Sequence, residues 1–210
     1  GMDGSTPSAL KSDAWVIRQN AERLLAACRA FLDRFGTPRA ANRASRLAAR
    51  IETGVSEDAV GLTAIDGVGA GRARTLAAAG ISSPDAVVEA GPAALAGAGL
   101  SESVAERVHE HAADLPAVAV DWGALPDAIA AGERELVEVT VRSTAGAARA
   151  GVRVTVNGHE MTTKDTYLGE ATIPVAVFGG DAETLELELT VVFPELPLQP
   201  VTAARTVEIR

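Results

Sequence analysis

Two periods of apolar residues divide this chain. As far as residue 115 apolar side chains recur every three or four positions, and beyond Leu115-Pro116 they alternate with polar ones. The first period is that of helices and the second that of half-buried strands. Ile17, Leu24, Cys28, Phe31 and Phe35 mark one helix over 13–35, which Gly36 and Pro38 end. The pattern places these residues in a core, with Trp15, and makes Cys28 a packed thiol. A second helix runs from about Pro38 to Glu52, with Ala44, Leu47, Ala48 and Ile51 as its apolar face and Gly54 as its stop. Shorter helices follow: Ser56 caps one into Leu62, another covers Gly69 to Ala79, Ser83-Pro84-Asp85 opens a third, and Ser101 caps a fourth through Ala113.

In the second half, 136–142, 151–158, 170–178, 184–193 and 205–210 read as strands, and 118–122 supplies another. Asn157-Gly158 is a hairpin turn, because a type I′ turn needs positive φ at both central positions. The segment between 151–158 and 170–178 reads as a short polar crossing. The expected fold class is therefore α+β with two domains: an all-α N-terminal domain and an antiparallel C-terminal β-sandwich. The divisions fall at 1–12 (disordered or tag-derived, with Gly1 before Met2 as a scar), 13–55 (Arg-rich helical segment), 56–115 (paired hairpins), 116–134 (linker with a first strand) and 135–210 (sandwich).

The helical half repeats itself. At an offset of thirty-two residues, Gly67 aligns with Gly99, Val68 with Leu100, Ala73 with Ala105 and Leu76 with Val108, so two helix-turn-helix units should pack as a pseudo-symmetric pair. In the first, Asp66-Gly67-Val68-Gly69 turns into a helix at about Ala70. Glycine permits positive φ and close approach, and the first helical turn offers free N–H groups at the positive end of a dipole. An anion fits there, flanked by Arg72 and Arg74. Val68 plugs the turn into the core and Ala73 lets two helices approach closely.

Charge sharpens this picture. The formal net charge of -9 weighs against nucleic-acid binding, yet residues 14–54 hold eight Arg against Glu22, Asp33 and Glu52. Arg39, Arg43, Arg46 and Arg50 lie within roughly 60° on the second helix, a basic stripe beside its apolar face. Such a stripe suits a phosphate backbone, and equally a solvated helix face. Arg exceeds Lys seventeen to two, which with the acid excess resembles proteins of extreme halophiles. The chain contains one cysteine, and its three histidines are poorly spaced for a metal: His109 and His111 cannot share a helical face, and His159 lies in a hairpin. No metal and no catalytic residue is expected. The sequence lacks a secretion signal and a membrane-length apolar run, giving a cytoplasmic, non-membrane expectation.

The stretches "IDGVGAGRARTLAAAGI" and "GAGLSESVAERV" resemble a tandem pair of helix-hairpin-helix motifs. The resemblance implies binding to DNA backbone phosphates without sequence readout. Its contact positions are Gly67, Val68, Gly69, Ala70, Gly71, Arg72 and Arg74, with a monovalent cation at the first hairpin in some relatives. The second hairpin departs from the pattern, with Ser101 for the second glycine and Glu102 and Glu106 around it, and reads as mainly structural. "WVIRQNAERLLAACRAFLDRFG" (15–36), "LAARIETGV" (47–55) and the hairpin together resemble the C-terminal region of archaeal superfamily-two DEAD/DEAH-box DNA helicases, here haloarchaeal in composition. That likeness covers roughly 13–114 and implies a grip on single-stranded or forked DNA behind motor domains. No phosphate loop or D-E-x-[DH] sequence is present, so the chain is not the motor; ATP enters only if motor domains lie upstream, and no other cofactor is implied.

Residues 141–175 resemble an Ig-like domain of the carboxypeptidase-regulatory or bacterial Ig-like type. Asp165, Glu170, Glu186 and Glu188 belong to its wet face, and a protein-docking or spacer role is open. The leading expectation is a non-sequence-specific DNA-binding accessory region of a helicase, and the alternative is a protein-interaction scaffold.

Overall fold

A computed structural model describes residues 8–180 and 182–210, with residues 8–12 as backbone only. Helices α1 (Ser8–Phe35) and α2 (Pro38–Thr53) form a hairpin. A 3-10 turn (Val60–Ala64) then leads into α3 (Ala70–Ala78), α4 (Pro84–Gly97) and α5 (Glu102–Ala113). Strands β1 (Val118–Asp121), β2 (Ala128–Ile129), β3 (Arg134–Ser143), β4 (Ala148–Val156), β5 (His159–Leu168), β6 (Glu170–Phe178), β7 (Thr184–Val192) and β8 (Val201–Ile209) follow.

The helix boundaries follow from local chemistry. Thr37 accepts the Ala40 N–H through its hydroxyl, Pro38 occupies the first turn where no N–H is needed, and Gly54 closes α2 in the left-handed conformation. Ser83 caps α4 the same way through Ala86 N–H, and Gly91-Pro92 kinks that helix. Helix α1 begins at Ser8, inside the segment expected to lack structure; the rest of that expectation, 1–7, lies outside the described residues. Ser56 does not open an α-helix: its hydroxyl binds the Asp58 carboxyl, holding it below the usual carboxylate range, and the chain passes into the 3-10 turn.

The strands build two sheets, ordered β1-β3-β6 and β2-β8-β7-β4-β5. Alternation sends Val139, Val141, Ile173, Val175 and Val177 inward from one, and Val152, Val154, Leu187, Leu189 and Val207 inward from the other. Pairing is antiparallel except for the two residues of β2, which run parallel to β8. Asn157 (φ 48) and Gly158 (φ 76) make the tight turn between β4 and β5. The supposed polar crossing is strand β5, whose side chains are mostly exposed. Its Met-Thr-Thr-Lys-Asp-Thr sequence has no inward apolar alternation because it is the edge of its sheet.

Two separate apolar cores result. One fills the sandwich; the other joins Val60, Leu62, Ile65, Val68, Leu76, Val87, Leu95 and Val108 beneath the paired hairpins. Helix α2 lies between them, and here periodicity misleads. Its buried residues are Ala41, Asn42, Ala44 and Ser45, whereas Leu47 is 43% exposed. The Asn42 amide donates to the carbonyls of Phe193, Leu196 and Leu198 at 2.9, 3.1 and 3.0 Å, and the Ser45 hydroxyl donates to Pro194 O at 2.7 Å. Buried carbonyls between β7 and β8 need donors, and these two polar side chains supply them. Gly151 permits the approach: a Cβ there would fall 2.2 Å from the Cβ of Pro38.

The expected core face of α1 is not buried either. Trp15, Ile17, Leu24, Phe31 and Phe35 are 59–71% exposed, and the Cys28 thiol is exposed rather than packed. Leu25 and Leu32, on the adjoining face, are the partly covered leucines among the described side chains of this helix.

Candidate nucleic-acid interface

The first hairpin is built as its glycines require. Gly67 takes φ +81°, Val68 turns inward to 5% exposure, and Gly69 is the extended N-cap of α3. Ala73 and Leu76 are fully buried beneath it. Gly69 has no side chain to cap the helix, so the first-turn N–H groups of α3 lack the side-chain acceptor that Thr37 gives α2 and Ser83 gives α4. An outward-facing set of donors at a positive helix end suits an oxyanion. From α5, His111 Nδ1 lies 3.1 Å from the Asp66 carbonyl, which ties the mouth of this hairpin to the second unit.

The second hairpin repeats the backbone with other chemistry. Gly99 has φ +110°, Leu100 is buried like Val68, and Ala105 and Val108 occupy the places of Ala73 and Leu76. Ser101 is the N-cap of α5 but makes no side-chain capping bond, and Glu102 and Glu106 stand exposed on that helix. Carboxylates in its first two turns oppose an incoming phosphate.

The arginines divide into groups. Arg74 is exposed without an ion pair among the described residues, whereas Arg72 folds back to donate to the Gly67 carbonyl. In α2, Arg39 and Arg43 are exposed, but Arg46 and Arg50 both bind Glu57, and the Nε atoms of both are buried without a partner. The basic stripe is therefore divided: Arg39 and Arg43 face solvent, and Arg46 and Arg50 are drawn to a carboxylate from the loop after Gly54. Arg29, which the stripe omitted, shares with Glu52, Thr53, Val68 and Gly69 a cleft of about 320 Å³ between the α1–α2 hairpin and the first glycine hairpin. Only its membership of the Arg-rich block pointed to it in the sequence.

In the sandwich, charge serves attachment. Arg149 makes a paired contact with Asp165, at 2.8 and 3.2 Å, and also binds Asp33 of α1; these carboxylates hold its guanidinium pKa above its ordinary value. Glu170, Glu186 and Glu188 are exposed. Among the described residues no three His, Cys, Asp or Glu side chains are grouped to hold a metal ion. No described helix is long and apolar enough to cross a membrane.

Comparison with known proteins agrees with the hairpin geometry. The SAM-like helix-hairpin-helix tandem family matches residues 60–114, about a quarter of the chain. These residues form a tandem helix-hairpin-helix domain. No curated protein matches the chain. Among solved structures, the crystal structure of the CARDB domain of the PF1109 protein from Pyrococcus furiosus, in complex with di-metal ions, is 20% identical over 46% of this chain and 94% of that one, with a TM-score of 0.39. The solution structure of that domain gives 21% identity over 44% and 91%, with a TM-score of 0.36. A beta-glucosidase from Listeria innocua is 13% identical over 45% of this chain and 16% of the enzyme, with a TM-score of 0.34.

Proposed function

We propose that the helical half binds DNA through backbone phosphates at the first hairpin, without sequence readout, as an accessory region of an ATP-dependent helicase of the DEAD/DEAH-box class. The observation that carries the reading is the uncapped N-terminus of α3 behind Gly67-Val68-Gly69, with Arg74 exposed beside it. The match of residues 60–114 to the tandem helix-hairpin-helix family supports nucleic acid as ligand. Gly67, Val68, Gly69, Ala70 and Gly71 present backbone, and Arg72 and Arg74 supply charge once Arg72 leaves the Gly67 carbonyl. Arg39 and Arg43 extend the contact, and Arg46 and Arg50 join it only if Glu57 releases them. A monovalent cation at the hairpin and single-stranded or forked DNA as ligand belong to the same proposal. The helicase context rests on the likeness of 15–36 and 47–55, and motor domains encoded upstream in the gene would supply the ATP chemistry.

The test is a fluorescence anisotropy titration of the full chain with a labelled single strand and a forked duplex at rising salt. Binding that weakens steeply with salt and ignores sequence supports the reading; no binding at low salt ends it. A protein-interaction scaffold is the second reading, favoured by Glu57 occupying half of the stripe. It predicts that Arg39→Glu with Arg43→Glu leaves any DNA affinity unchanged.

A further inference from the structure

Among the described residues, helix α1 carries an unpartnered heptad seam. Ile17, Leu24 and Phe31 repeat every seven residues, and Ala14, Ala21, Cys28 and Phe35 repeat in the same register three or four positions away. This is the a/d spacing of a coiled coil. The three large d residues are 61–71% exposed, and Phe35, whose ring lies 5.1 Å from that of Phe31, is 68% exposed. Helix α2 packs against α1, the neighbouring face holds the partly covered Leu25 and Leu32, and every residue from Asp13 to Asn20 is exposed.

We propose that a second copy of this chain covers the seam, the two α1 helices pairing antiparallel about a two-fold axis at the level of Ala26. The alternation of sizes selects that arrangement. With the axis there, Phe31 of one copy meets Ala21 of the other, Leu24 meets Cys28, and Ile17 meets Phe35, so each bulky side chain faces a smaller one or the seam's end. The open flank carries no like-charge conflict: Asn20 lies opposite Arg34, and Ala27 opposite itself. A self-complementary patch of this kind is what a two-fold interface requires. Ile17, Leu24, Phe31 and Phe35 expose on the order of 600 Å² in one chain, so pairing would bury about 1,200 Å² in total, the lower bound of a stable interface. The inference is independent of the DNA reading, because the seam contains none of the proposed DNA contacts.

Sedimentation of the full chain from micromolar to millimolar concentration reads the association. The expected result is a species of twice the 21.5 kDa chain mass that persists on dilution further in sulfate, which strengthens apolar burial. Leu24→Glu with Phe31→Glu should return the monomer while leaving the circular dichroism spectrum unchanged, since both positions are exposed in the single chain. Direction is read by mixing two Cys28→Ala chains, one with Ile17→Cys and one with Phe35→Cys, which should form a mixed disulfide on oxidation. A monomer under all conditions, a dimer that the double glutamate variant leaves intact, or disulfides joining only like chains would each overturn the proposal.

Discussion

The two hairpins share a backbone and differ in charge. Gly67 and Gly99 both take positive φ, Val68 and Leu100 both plug the turn, and Ala73 and Ala105 are both fully buried where helices cross. Above this common frame the first unit presents Gly69, Arg72 and Arg74, and the second Ser101, Glu102 and Glu106. Packing constrains the residues that face inward, and the outward ones are free to diverge. The comparison thus separates what a hairpin needs to fold from what it needs to hold a phosphate.

Four measurements would break or sharpen that contrast, beginning with the shared frame. Leu76→Ala should cost about 2–5 kcal/mol in thermal or denaturant unfolding, and Val108→Ala somewhat less, because each empties the corresponding place in one core. A large loss at one site with none at the other would refute the equivalence. Next in size is a charge placed at the hairpin mouth. Gly69 has extended backbone and open space where a Cβ would go, so Gly69→Asp should cap α3 and stabilise it by about a few tenths of a kcal/mol. The same change should weaken DNA binding about tenfold or more, since the carboxylate occupies the phosphate position. Ser101→Asp should leave anisotropy titrations with DNA almost unchanged; equal losses at both hairpins would show that both touch DNA.

Glu57→Gln tests the divided stripe. Releasing Arg46 and Arg50 should raise DNA affinity by about threefold at low salt, an effect that vanishes as salt rises. Unchanged affinity would confine the contact to the hairpin and the exposed half of α2. The smallest effect is expected at the Ser101 cap. Ser101→Ala should change the melting temperature little, because that hydroxyl makes no capping bond, whereas Thr37→Ala and Ser83→Ala should each cost about 1 kcal/mol.

Much of the fold was legible along the chain. The switch of period at Leu115-Pro116, the strand β6 at 170–178 and the Asn157-Gly158 turn all follow from local rules, as does the thirty-two-residue repeat, because each is set by residues near one another in sequence. Strand β5 was missed since an edge strand has no need of inward apolar residues. The candidate site was legible only in part. The glycines and Arg74 announced the hairpin, but the pairing of Arg46 and Arg50 with Glu57 depends on how the loop after Gly54 folds back over α2.

The sequence by itself determined the α+β class, the two domains, the paired hairpins and several element boundaries, such as the Pro38 start of α2 and the span of β6. These depend on φ preferences, capping and periodicity, all short-range. Tertiary structure alone decided which face of each helix is covered. Periodicity reports that α1 has an apolar side, but not that Leu25 and Leu32 would be partly covered while Ile17, Leu24 and Phe31 stay open. It likewise cannot foresee the burial of Asn42 and Ser45, because their value lies in carbonyls some 150 residues away that would otherwise be buried without donors.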